Sequence, residues 1–300
     1  MQTIFVTGAN GFVGSHLVKE LSNQPFRVIA SGSAPKSAMP LPADVQYQQL
    51  DFTNERDVTD IFSAIKPNIV IHSGAMSKPD DCELQKEKAL LVNVEGTRHL
   101  LSEAANYRSH FIFLSTDFVF SGKEGMYSED DDRAPVNFYG ETKVQAEDAV
   151  MVYPFQWSIA RTVLVYGRSI TAKPTFLENI VAAARRNEPL RIFEDQVRTP
   201  TFVGDLVTGL LSIVQQKASG IFHLSGKDRM TVFEAALKAV QLNRLDEKLI
   251  SPIREGDLVA PAVRPKVTGF NISKANSLLG YDPIGYEEGL RRTFTVNETD

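Results

Sequence analysis

The chain has 300 residues, a formal net charge of −5, 43% hydrophobic and 23% charged residues, the balance of an ordinary globular protein with room for one large α/β unit or two modest domains. No Lys/Arg run would track a phosphate backbone, which excludes nucleic acid as a partner; the single cysteine, Cys82, excludes a disulfide framework and a multi-cysteine metal site and reads as a small buried hydrophobe. The start MQTIFVTG lacks a secretory pattern and no apolar run reaches about 18 residues, so a cytoplasmic protein without membrane contact is expected.

In chain order, residues 3–7 (TIFVT) read as a buried strand ending in glycines, followed by a helix over 14–22. Strands at 27–30 (RVIA), 68–72 (NIVIH) and 110–115 (HFIFLS) alternate with helical patterns at 58–65 and 86–106. Runs apolar along their whole length belong to strands covered on both faces, and their alternation with helices predicts a doubly wound parallel sheet, an α/β Rossmann fold. A helix over 139–151 and a strand over 157–166 complete this part. Beyond Gly167 come helices at 175–186, 202–215, 231–241 and 273–279, short strands at 190–193 and 220–224, and Pro-rich loops around 251–265. This predicts a dinucleotide-binding domain over 1–167, to which 201–226 returns, and a smaller α/β substrate lobe from 168–200 and 227–300.

The segment 8–14 (GANGFVG) sits between a strand and a helix, the context that gives a glycine turn meaning. Gly8 permits the tight turn, Gly11 lets the backbone approach a pyrophosphate, and Gly14 packs the helix on the sheet. Asn10, Phe12 and Val13 complete the loop, and the helix N-terminus offers unpaired N–H groups to phosphate. An NAD site usually has an acid about 20 residues beyond the first glycine to hold the ribose 2′-hydroxyl. No acid occurs between Leu21 and Ala43, and the second strand runs into Ser31, Ser33 and Lys36. Two hydroxyls and an ammonium suit a 2′-phosphate, so NADP(H) is favoured, with NAD(H) as the alternative; Lys36 read blandly is a solvated loop charge.

Tyr139 and Lys143 lie four residues apart on one helix face. A nearby ammonium lowers a phenol's pKa toward the range useful for proton transfer. Ser115, Thr116 and Asp117 end a buried strand at the sheet edge where ligands bind in such folds. A hydroxyl there, Thr116, can polarise a carbonyl oxygen; the plainer reading is a turn closing the strand.

With VTGANGFVG, LSTDFVF, FYGETK and RTVLVYG in that order, the chain resembles the extended short-chain dehydrogenase/reductase family over essentially its whole length. STDFVFSG, FYGETKVQAED, DQVRTPT and VRPK are most similar to the dTDP-4-dehydrorhamnose reductase group. The resemblance implies that Tyr139 donates the proton, Lys143 tunes it and Thr116 polarises the carbonyl. It also implies cofactor contacts from Asp51 and Phe52, from Ser73, Gly74 and Ala75, from Ser115, and from the strand near Val165. Asn93 matches a helix asparagine that supports the lysine through a water, helix packing being the other reading. Ser77 and Asp117 fall where a nucleotide-sugar would sit. Arg198 and Arg264 are candidates to meet its phosphates, or else form structural ion pairs.

The activity implied is reduction of a keto group on a nucleotide-activated sugar. A sugar-nucleotide epimerase or dehydratase is a second reading, weakened because Phe118 follows Asp117 where the dehydratases carry a second carboxylate. A third is a regulatory subunit, since the beta subunit of methionine adenosyltransferase resembles the same branch and acts by binding a partner. A homodimer is left open.

Overall fold

Seven parallel strands form the centre of the molecule in the order β3-β2-β1-β4-β5-β6 followed by the edge strand Gly220–His223. They are β1 (Gln2–Thr7), β2 (Phe26–Gly32), β3 (Gln46–Gln49), β4 (Ile69–His72), β5 (His110–Thr116) and β6 (Trp157–Thr162). The computed structural model describes residues 1–257 and 260–295. The expected Rossmann fold is therefore present, and its apolar strands are apolar because helices cover both faces. On one face α1 (Phe12–Ser22), Val203–Gln216 and Ser273–Leu279 pack over Ile4, Val6 and Ile71. On the other, α2 (Glu55–Ile65), Gly96–Asn106 and Phe138–Met151 pack over Phe5, Val70 and Phe113. Each large side chain fully buried there contributes roughly 1.5–3 kcal/mol of transfer free energy.

The strand order reverses between β1 and β4. The connections leaving these two neighbours diverge, which opens a crevice above the C-terminal ends of the strands. Beside it, Phe176–Arg185, Val232–Leu242 and Tyr286–Phe294 share a separate core built from Leu177, Ile180, Val240, Tyr286 and Leu290. Strand Leu190–Phe193 pairs there with Ile250–Ile253. Two of the helices start with full capping boxes, Thr175 with Glu178 and Thr231 with Glu234, which satisfy N–H groups that a bare helix end leaves open.

Several elements differ from the sequence expectation. The long helix over 86–106 is broken into Lys86–Leu90, a π-helical turn Leu91–Glu95, and Gly96–Asn106. β3 (QYQQ) is polar and mostly exposed, so it carries no apolar signal. The helices Pro79–Leu84 and Tyr286–Phe294, and the strand Ile250–Ile253 inside the Pro-rich segment, were not expected. Ser273–Leu279 was assigned with the smaller lobe, yet Ala275 and Leu279 are buried in the main sheet's core. Of the range given to that lobe, 258–259 and 296–300 lie outside the described residues.

Candidate active site

The glycine turn sits on the switch point and its glycines are there for space. Gly8 has φ 71°, and a Cβ on it would come within 2.5 Å of the Gly74 nitrogen at the end of β4. A Cβ on Gly14 would overlap the Gly8 carbonyl. The two loops therefore touch backbone to backbone. α1 is preceded by Gly11, which offers no capping side chain, and its first turn holds no acid. Its N–H groups and positive dipole end are left to an anion, as a pyrophosphate requires.

This turn borders a cleft of ≈ 920 Å³. Asp51 and Phe52 line one side; the Asp51 carboxylate accepts from Thr53 N and Oγ1 at 3.0 and 2.7 Å, and the Phe52 ring packs against Gly74. Ser73 donates its hydroxyl to the Thr7 carbonyl at 2.7 Å, holding the end of β4 against β1. Ala75 and Ser77 continue the wall.

The far wall carries the reactive side chains. Thr116 ends β5, and its Oγ1 accepts from Phe118 N at 3.3 Å and donates to Asp117 Oδ1 at 3.2 Å. Helix Phe138–Met151 is capped by Asn137, whose Oδ1 accepts from Gly140 N at 2.9 Å. A Cβ on Gly140 would overlap the Phe118 carbonyl, so a glycine lets the helix close on the strand end and brings Tyr139 beside Thr116. Lys143 donates to the Leu114 carbonyl at 2.8 Å and its ammonium lies 3.8 Å from the Phe113 ring centroid. Thr116, Asp117, Tyr139 and Lys143 all border the cleft.

Electrostatics here are set by burial. Desolvation raises the Tyr139 phenol well above its usual value, with the Thr116 hydroxyl pulling the other way. Desolvation lowers the Lys143 ammonium to about 7, opposed by Glu147. An ammonium on the same helix face is expected to lower the tyrosine; in the structure it is turned to a carbonyl and a ring, and desolvation dominates. Asp117 is likewise raised by burial, opposed first by Arg198 and then by Thr268, whose hydroxyl donates to it at 2.5 Å.

Of the residues expected at cofactor or substrate, all border the cleft except Ser31, Lys36, Asn93, Arg198 and Arg264. Ser31 is buried in β2, with its hydroxyl facing no partner. Lys36 is on the exposed loop after β2. Asn93 lies in the π-helical turn, donating to the Met76 carbonyl and the Thr142 hydroxyl and accepting from Met76 N, all at 2.8–3.0 Å. It fixes the wall leading to Ser77. Arg198 is buried; it donates to the carbonyls of Val197, Lys266 and Pro265 and lies 3.6 Å from Asp117. Arg264 pairs with Asp80 at 2.6 Å. The ion-pair alternative thus describes both arginines. Besides Lys143, the cations that border the cleft are Lys78 and Lys173, with Phe176 at the first turn of its helix. Lys78 directly follows Ser77, a residue expected at the nucleotide-sugar, whereas nothing local marks Lys173.

Uncapped helix, glycine turn at the switch point, and Thr/Tyr/Lys gathered at one sheet edge define an extended short-chain dehydrogenase/reductase architecture. The chain belongs to the RmlD substrate binding domain family, whose model matches residues 1–298. It is 30% identical to a probable low-salt glycan biosynthesis reductase, Agl14, of Haloferax volcanii, over 95% of each chain. It is 29% identical to the methionine adenosyltransferase 2 subunit beta of Xenopus laevis, over 96% of this chain and 86% of the relative. In three dimensions it is similar to the dTDP-4-dehydrorhamnose reductase of Bacillus anthracis in complex with NADP, with TM-score 0.85, 27% identity, and coverage of 98% and 99%.

Proposed function

We propose that this protein is an NADPH-dependent reductase acting on a keto group of a nucleotide-activated sugar. The observation that carries the reading is that Thr116, Tyr139 and Lys143 face the same cleft as the uncapped α1 terminus. The similar reductase from Bacillus anthracis, solved with NADP, and the Haloferax reductase support it. The cofactor, when bound, supplies hydride. Gly8, Gly11 and the first N–H groups of α1 receive its pyrophosphate, while Asp51 and Phe52 flank the adenosine end. Thr116 donates a hydrogen bond to the substrate's carbonyl oxygen and draws negative charge onto it. Tyr139 gives that oxygen its phenolic proton. A phenol raised by burial is a reluctant anion at rest, so it enters the reaction protonated, the form a donor needs. Lys143, one helical turn along from Tyr139, stabilises the phenolate that remains. Residues 168–200 and the lobe helices cover the sugar, with Lys78 and Lys173 meeting its diphosphate in place of Arg198 and Arg264.

The test follows NADPH consumption with a panel of 4-keto nucleotide-sugars, using Tyr139→Phe as control. Turnover that disappears in the variant is expected. Tight cofactor binding with no turnover of any keto sugar would sink the reductase reading. A second reading, a cofactor-binding regulatory subunit, is favoured by the similarity to the Xenopus beta subunit and would then take its place.

A further inference from the structure

The loop after β2, residues 33–38, lies at the cleft's adenosine end, where Gly32 and Ser33 border the cavity. The loop is mostly exposed, and loops of that kind usually take their shape from solvent. This one is held from behind by three side chains. Asn10, inside the glycine turn, donates from Nδ2 to the Lys36 carbonyl at 3.2 Å and to the Tyr47 hydroxyl at 2.8 Å, and its Oδ1 accepts from Ala38 N at 2.8 Å. Tyr47, from β3, donates its hydroxyl to the Ala34 carbonyl at 2.8 Å. Gln49, also from β3, donates to the Ser33 carbonyl at 3.0 Å. Burial raises the Tyr47 phenol above its ordinary value, opposed by the Asn10 hydrogen bond, so its hydroxyl is a donor at neutral pH. Gly32 is part of the arrangement: a Cβ there would stand 2.9 Å from the Tyr47 oxygen and 3.0 Å from Asn10 Nδ2.

The chemical consequence concerns which groups the loop presents. Carbonyl oxygens repel a phosphate; amides, hydroxyls and ammonium groups attract one. The carbonyls of Ser33, Ala34 and Lys36 are each tied back to a side chain. What the loop offers a ligand then includes the Ser33 and Ser37 hydroxyls, the Lys36 ammonium and the amides other than that of Ala38, which Asn10 holds, with no carboxylate between Leu21 and Ala43 to oppose them.

We propose that Asn10 and Tyr47 act as a clamp that holds residues 33–38 in an anion-accepting shape, and that the clamp sets this protein's preference for a cofactor bearing a 2′-phosphate. The inference rests on the NADPH reading above. It makes Tyr47 a positioning residue, touching no ligand and acting through the loop. It also explains why a polar, exposed strand such as β3 is kept: its side chains reach under the loop.

The experiment is calorimetric binding of two cofactor fragments, 2′,5′-ADP and 5′-AMP, which differ only by the phosphate in question. The wild-type protein should prefer 2′,5′-ADP. Tyr47→Phe removes one hydroxyl and should weaken 2′,5′-ADP about tenfold while leaving 5′-AMP unchanged. Gly32→Ala crowds the same clamp from the other side and should give the same selective loss, with thermal unfolding checked for both variants. If Tyr47→Phe keeps the wild-type preference, or weakens both fragments equally, the clamp is overturned while the NADPH reading stands. If the wild-type protein has no preference to begin with, the NADPH reading fails and the clamp with it.

Discussion

Tyr139 is buried to 9% exposure against Phe118, its rings 5.7 Å apart, so replacing it by Phe changes chemistry with little change in packing. Tyr139→Phe should lower kcat by about 10²–10⁴-fold, the range for removing a general acid. Cofactor affinity measured by fluorescence titration should stay as in the wild type. Arg198 calls for the opposite experiment. It is a buried cation whose donors go to three carbonyls and whose charge faces Asp117. Arg198→Ala leaves that carboxylate uncompensated and should cost about 3–5 kcal/mol in urea unfolding. Adding Asp117→Asn to it should recover part of the loss, because the orphan charge is then gone. A variant that unfolds normally but loses affinity for nucleotide-sugar phosphates would restore Arg198 as a ligand.

At the level of elements, the two capping boxes make a controlled pair. Thr175→Ala and Thr231→Ala each remove the same cap and should each cost about 1 kcal/mol. Only the Thr175 helix places a residue, Phe176, on the cleft. Thr175→Ala should therefore raise the substrate KM while Thr231→Ala leaves it alone; equal effects on KM would mean the helix start has no part in binding. The elements also show what a sequence can and cannot disclose. GANGFVG was legible because each of its glycines answers a local steric demand between a strand and a helix. Tyr139, Lys143 and Thr116 were legible through spacing and position at a strand end. Asn93 was found but its partners were not, because the π-helical turn that aims it at Met76 leaves no periodic signature. QYQQ was passed over because an edge strand need not be apolar, and the Arg198 pairing was undecidable because its partners are carbonyls about 70 residues away, from Pro265 and Lys266.

Across the whole molecule, buried imidazoles set the response to acid. His72, between Thr7 and Thr97, is lowered by burial to about 3; His110 is lowered to about 4, and His223 is well below its ordinary value. A depressed histidine pKa means that the unfolded chain binds the proton first as pH falls. Stability is therefore full above about 6.5 and falls below it, by up to about 1.4 kcal/mol per pH unit for each such group. Asp117 has the opposite sign, since its raised pKa makes the native state the better proton acceptor. The histidines outnumber it, so the urea midpoint should drop between pH 6.5 and 4, and His72→Gln should flatten that slope. A midpoint independent of pH across this window would mean that the imidazoles are protonated in the native state.

The hydrogen bond from Thr268 to Asp117 joins positions 151 residues apart, and the Arg264–Asp80 pair spans 184. While the chain is still being synthesised, the central sheet has most of its strands before either partner near position 265 has been made. A nascent chain stopped at that stage has its glycine turn in place, but Asp117 has neither Arg198's anchoring carbonyls nor the Thr268 hydroxyl. The groups that hold Asp117 and Arg198 are thus the last of the cleft's surroundings to be made, so a ribosome-bound intermediate is expected to bind cofactor before it can turn over any substrate.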